Sequence, residues 1–187
     1  MMMASSPDTP ESPRSERRWL PVVIVAVLLV VVAGGARSVA DATATNAGPV
    51  TMGSVRVQPP EGWQVEGSAS PTSVRLHKGP VVLDISVGQP VAGGPLLLAA
   101  LYREQQLATA FEHLLPGAPE AFALTSGVPA ARFYYLAGTA DGVILDGFVV
   151  AVDAPDASVV FDVRAPSTGE LTDVLEDLRT MVEGASL

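Results

Sequence analysis

The sequence predicts an α+β domain: an antiparallel β-sheet packed by two main helices and preceded by one N-terminal transmembrane helix. Short runs with a period of two are separated by Gly, Pro and Asp turns. Two longer stretches, near Leu96–Leu115 and Leu171–Val182, keep helical spacing instead. The order is therefore strands, helix, strands, helix, and the short turns within each group of strands make antiparallel hairpins.

The N-terminal segment decides where the domain resides. Trp19 to Ala36 carries no charge, and Arg18 and Arg37 bracket it. Leu20, Val22, Val23, Ile24, Leu28 and Leu29 dominate its apolar run, and Trp19 falls at the expected headgroup level. As a helix the segment spans roughly 27 Å, close to the roughly 30 Å hydrocarbon core of a bilayer. Residues 1–18 are polar and rich in Ser and Pro, and read as a disordered cytoplasmic tail. Arg14, Arg17 and Arg18 form the topology signal that keeps this tail inside and places the C-terminal domain outside. Residues 37–50 read as a flexible spacer, and residues 51–187 as the extracytoplasmic domain. The expectation is a single-pass cell-membrane protein. A cleaved signal peptide is the alternative, with secretion of the same domain.

Within the domain, Val55 and Val57 alternate with Arg56 and Gln58. Pro59-Pro60-Glu61-Gly62 gives a turn, and Trp63 anchors the hairpin that follows. Ser73–His77 and Val81–Val87 are strands around the turn Lys78-Gly79-Pro80. A helix is expected from Leu96, with Pro95 in its first turn, to about Leu115, with Leu97, Ala100, Leu107, Phe111 and Leu114 facing inward. Strands follow at Ala130–Ala137, Val143–Val152 and Ser158–Ala165. Ser167 and Glu170 have the spacing of a capping box for the last helix, whose apolar stripe is Leu171, Val174, Leu175, Leu178 and Val182.

Composition excludes several functions. Net charge is -9, and beyond Arg37 there are 7 basic against 17 acidic residues. Nucleic acid needs a basic face and is not an expected partner. Cysteine is absent, which removes disulfides, thiol catalysis, Cys-based zinc sites and a lipid-modified N-terminal Cys. His77 and His113 lie outside any metal-ligand spacing, and no nucleophile elbow, P-loop or dinucleotide fingerprint appears. No catalytic residue, metal ligand or cofactor site is therefore assigned.

One pattern suggests a site. Asp84, Asp146 and Asp162 each follow an apolar pair inside a strand, where aspartate is depleted. The period of two places all three on one face of one sheet, as an expectation. There they are either solvated and paired with Arg75, Arg132 or Arg164, or they form an acidic stripe for a cation or basic peptide. Trp63 and the sheet aromatics are core residues or the lining of a pocket.

The run Val57-Gln-Pro-Pro-Glu-Gly62-Trp63, the middle helix, and the turn Ser126-Gly127-Val128-Pro129-Ala130-Ala131-Arg132 leading into an aromatic strand resemble the PsbP/Mog1-like fold, including LpqN-type actinobacterial extracytoplasmic proteins. The resemblance covers about Thr51 to Leu187. It implies an accessory or binding module with no catalytic motif to carry over. The expected function is a membrane-tethered extracytoplasmic binding or accessory module. Its partners are the bilayer, through the N-terminal helix, and an envelope protein or small ligand. A cell-envelope hydrolase with an unrecognised site, or a structural subunit of a membrane complex, are the alternatives. A Ser or Asp within hydrogen-bond reach of His77 or His113 would favour the hydrolase.

Overall fold

The structure, a computed structural model, describes residues 47–187. The segment expected to span the membrane lies outside the described residues. Among the described residues no helix is long and apolar enough to cross a membrane.

Two short strands come first among the described residues, β1 (Val50–Met52) and β2 (Val55–Val57), paired as a hairpin. The main sheet begins with β3 (Gln64–Val65), β4 (Ser73–Lys78) and β5 (Val81–Gly88). Helix α1 (Gly94–Tyr102) runs through a π-helical turn (Arg103–Leu107) into the short α2 (Ala108–Ala110). Next come β6 (His113–Pro116), β7 (Glu120–Ala123), β8 (Pro129–Gly138), β9 (Ile144–Asp153) and β10 (Ser158–Ala165), then α3 (Thr168–Glu183). The sheet is antiparallel throughout, in the order β3-β4-β5-β10-β9-β8-β6, with β7 pairing the other half of β8. β10 thus enters between β5 and β9.

Each face carries its own helix. On one, α1 packs over β8 and β9, and Leu98, Ala99 and Leu107 meet Phe133, Tyr135, Val149, Ala151 and Val160. On the other, α3 packs on β10 and β9, and Leu171, Val174, Leu178 and Met181 share a core with Phe161, Val163, Leu83, Trp63 and the β1–β2 hairpin. β9 and β10, covered on both faces, are buried along most of their length and read as near-continuous apolar runs. β5 is covered on one face and alternates.

Ser167 caps α3, as the Ser167–Glu170 spacing leads one to expect. Ser167 is extended, its Oγ accepts from the Glu170 amide at 3.4 Å, and its hydroxyl donates to Glu170 Oε2 at 2.8 Å. The chain end is tied back by reciprocal backbone bonds between Arg56 and Ser186.

The middle helix is shorter than its periodicity suggests. It stops at Ala110, Phe111 is extended, and His113–Pro116 is an edge strand. His113 therefore sits on a strand, not at a helix end. Pro116 pushes the residue before it toward extended backbone, and pairing β6 with β8 satisfies the groups a longer helix would have used. Leu98 and Ala99 face the sheet, whereas Leu97 is exposed. β7 has no clear strand pattern in the sequence.

Leu178 is 1% exposed in the α3 core. Leu178→Ala is expected to cost on the order of 2–5 kcal/mol, read as a lower urea midpoint at unchanged slope. An unchanged midpoint would mean that α3 is not docked on the sheet.

Candidate functional site

Antiparallel pairing places directly opposed residues on the same face. Asp162 opposes Asp84 on β5, so these two carboxylates lie together on the α1 face. Asp162 also opposes Val149 on β9, and Asp146 lies three residues from Val149. Three is odd, so Asp146 points to the α3 face. The expectation of one stripe is corrected: two aspartates share a face and the third lies on the other.

Asp84 and Asp162 belong to a closed network. Like charges directly opposite across a strand pair repel. Arg164, two residues along β10, resolves this by bonding both, its Nη1 reaching Asp162 Oδ2 at 3.2 Å and its Nη2 reaching Asp84 Oδ2. Arg75 on β4 opposes Asp84 and grips it with two bonds, Nε to Oδ1 at 2.6 Å and Nη2 to Oδ2 at 3.0 Å. Asp162 is fully buried and also accepts from the Tyr135 hydroxyl at 2.6 Å and the Tyr102 hydroxyl at 2.9 Å. The Phe111 ring lies 5.8 Å from the Arg164 guanidinium carbon, where the end of α2 delivers it.

Burial raises the Asp162 carboxyl, and Arg164 with the two tyrosine hydroxyls only partly opposes it. Burial would lower Arg164, but the carboxylates of Asp162 and Asp84 outweigh it and hold the guanidinium firmly charged. Burial, then the Asp162 charge, pushes the Tyr102 and Tyr135 hydroxyls well above their ordinary range. Two arginines balance two aspartates, and every carboxylate oxygen has a donor. The network ties β4, β5, β8, β10 and the end of α1 together through side chains.

Gly147 makes the network possible. It lies on β9 between Tyr135 on β8 and Arg164 on β10. Any side chain there would run into the Tyr135 ring. The ring can thus cross β9 and reach Asp162.

Trp63 is likewise closed. Its ring is buried in the α3 core, and its Nε1–H donates to Asp177 Oδ2 at 2.8 Å, which also receives Lys78 Nζ at 2.7 Å.

Asp146 differs. It lies in a groove of about 460 Å³ between α3 and the outer strands, lined among others by Leu115, Tyr134, Leu136, Thr172 and Leu175. No described residue hydrogen-bonds or ion-pairs with its carboxylate. Around it, Leu115 is 73%, Ile144 66% and Tyr134 55% exposed, and Leu136 is also exposed. The register puts all of these on one face: Leu115 opposes Leu136, Leu136 opposes Asp146, Tyr134 opposes Phe148, and Ile144 opposes Gly138. Tyr134 and Phe148 stack with ring centroids 4.3 Å apart. These exposed apolar side chains lie beside a polar group on one face of the sheet. The run Phe133-Tyr134-Tyr135-Leu136 is apolar and aromatic throughout, so the sequence does not show which of its side chains face outward.

No described side chain hydrogen-bonds to His77 or His113. Among the described residues no three His, Asp or Glu side chains are placed to hold a metal ion.

The chain has the PsbP/Mog1-like fold. It is similar to the cyanobacterial PsbP of Synechocystis sp. PCC 6803, with a TM-score of 0.54 at 11% identity over 81% of this chain and 98% of that one. It is similar to LpqN of Mycobacterium tuberculosis, described as involved in cell envelope biogenesis, with a TM-score of 0.52 at 14% identity over 74% and 88% of the two chains. It is also similar to the Saccharomyces cerevisiae Ran-binding protein Mog1p, with a TM-score of 0.51 at 12% identity over 76% and 95%. No family model matches the sequence, and no curated protein matches it.

Tyr135→Phe removes one donor from a buried carboxylate and is expected to cost roughly 1–3 kcal/mol. Gly147→Ala, which displaces the whole ring, is expected to cost at least as much. The raised tyrosines also give a pH signature. The folded state holds their protons above the unfolded value of 10.0, so stability is complete below that pH and falls as pH rises past it. Urea midpoints across the alkaline range should show this fall, and a shallower fall in Tyr135→Phe. Equal slopes would mean that Tyr135 is not buried against Asp162.

Proposed function

We propose that the chain is a membrane-tethered, extracytoplasmic accessory module that holds a protein partner in the groove around Asp146. The observation that carries this reading is the open apolar surface of Leu115, Tyr134, Leu136 and Ile144 around the Asp146 carboxylate, with which no described residue pairs. A surface of this kind costs solubility and is maintained for association. Its apolar and aromatic character suits a protein partner, whose interface cores are enriched in such side chains. Two neighbours of the same fold support a binding role: Mog1p by its Ran-binding description, and LpqN by its description in cell envelope biogenesis. The uncharged run Trp19 to Ala36 with Arg14, Arg17 and Arg18 before it supports tethering with the domain outside.

Protease added to intact cells or spheroplasts should remove the domain; a protected domain would sink the topology. A photo-reactive residue at Leu115 or Ile144 in cells should give a discrete adduct with another protein. The same residue at exposed Asp156, at the far end of β9, should not. Equal labelling from all three positions would overturn the groove as the docking surface.

A further inference from the structure

We infer that the groove around Asp146 receives an amphipathic helix of a partner protein, laid beside α3, with a Lys or Arg that pairs with Asp146. The inference rests on the docking function proposed above and names the chemistry of its partner. The first argument is space. α3 packs on β10 and β9, and on the same face β8 and β6 carry exposed Tyr134, Leu136 and Leu115. From β9 across β8 to β6 is two strand spacings, about 10 Å, which matches the diameter of one helix. Helices pack side by side at 8–10 Å, so a second helix next to α3 completes the layer. Leu175 and Thr172 of α3 already face that space.

The second argument is charge. Among the described residues Asp146 is the one charged side chain lining this groove, it is half-buried, and no described residue pairs with its carboxylate. Covering it with an apolar helix would strand a carboxylate, which is costly. A helix with one basic residue on its apolar stripe satisfies it. An anionic or wholly apolar occupant does not.

The third argument concerns the alternative of strand addition at the sheet edge. β6 is four residues long and ends in Pro116, which has no N–H. A short edge strand with proline is how proteins block strand addition. The face, not the edge, is what this end of the sheet offers.

The test pans a displayed library of short helices against the full chain in lipid nanodiscs. The helices carry apolar residues at i, i+4 and i+7 and one randomised position on the stripe. Wild type should enrich Lys and Arg over Glu at that position by about tenfold. Asp146→Lys should reverse the preference toward Asp and Glu, and Asp146→Asn should abolish it without reversal. The same preference on all three chains overturns the inference. So does a chain that self-associates through this face and is freed by Leu136→Asp, because the occupant would then be a second copy. If no helix is retained while Ile144 still cross-links to a protein in cells, the helix inference falls and the docking function stands. If neither is observed, both fall.

Discussion

Arg164 is the residue on which the two halves of the sheet depend. Pairing β5 with β10 in the observed register sets Asp84 against Asp162, which without a cation between them would repel. Arg164 bonds both, and Arg75 holds the second side of Asp84. A slip of one residue would turn these carboxylates into the apolar α3 core and Phe161 and Leu83 out of it. Buried ion pairs add little net stability over apolar packing. Here the pairs form only in the observed register, which a slip of one residue would break.

The same network recruits elements distant in sequence. Tyr102 brings in the end of α1, where the π-helical turn begins, and Tyr135 brings in β8. Phe111 lies over Arg164 and also packs 6.1 Å from the Tyr135 ring. Phe111 is extended where the middle helix ends at Ala110, and its ring meets the guanidinium from there. Gly147, which in sequence reads only as a weak point in a strand, is the space through which Tyr135 crosses β9.

The sequence made the central strands and the last helix legible because their signals are local. β10 matches its apolar run residue for residue, and the Ser167–Glu170 spacing marks the start of α3. What was not legible depended on registry between segments. Asp146 and Asp162 have similar neighbours, yet face opposite ways because the β9–β10 turn places four residues between Asp153 and Ser158. A turn one residue longer or shorter would have put them on the same face. Local pattern does not count turn residues to within one. The end of the middle helix failed for a related reason: Phe111 to Leu115 is a short apolar run that fits either a helix or an edge strand, and tertiary pairing with β8 decided it.

β8 joins the closed network to the open groove. Phe133, Tyr135 and Ala137 point into the α1 core, and Tyr134 and Leu136 point from the same backbone into the groove. Fixing Tyr135 against Asp162 therefore also fixes the strand that presents Tyr134 and Leu136. β9, buried on both faces, backs this platform from the side, and Phe148 supports the Tyr134 ring. A surface held this way gives up little conformational freedom when a partner covers it, so more of the interaction energy appears as affinity. On the α1 face the Asp84 and Asp162 carboxylates are satisfied internally, whereas on the other face no described residue pairs with the Asp146 carboxylate.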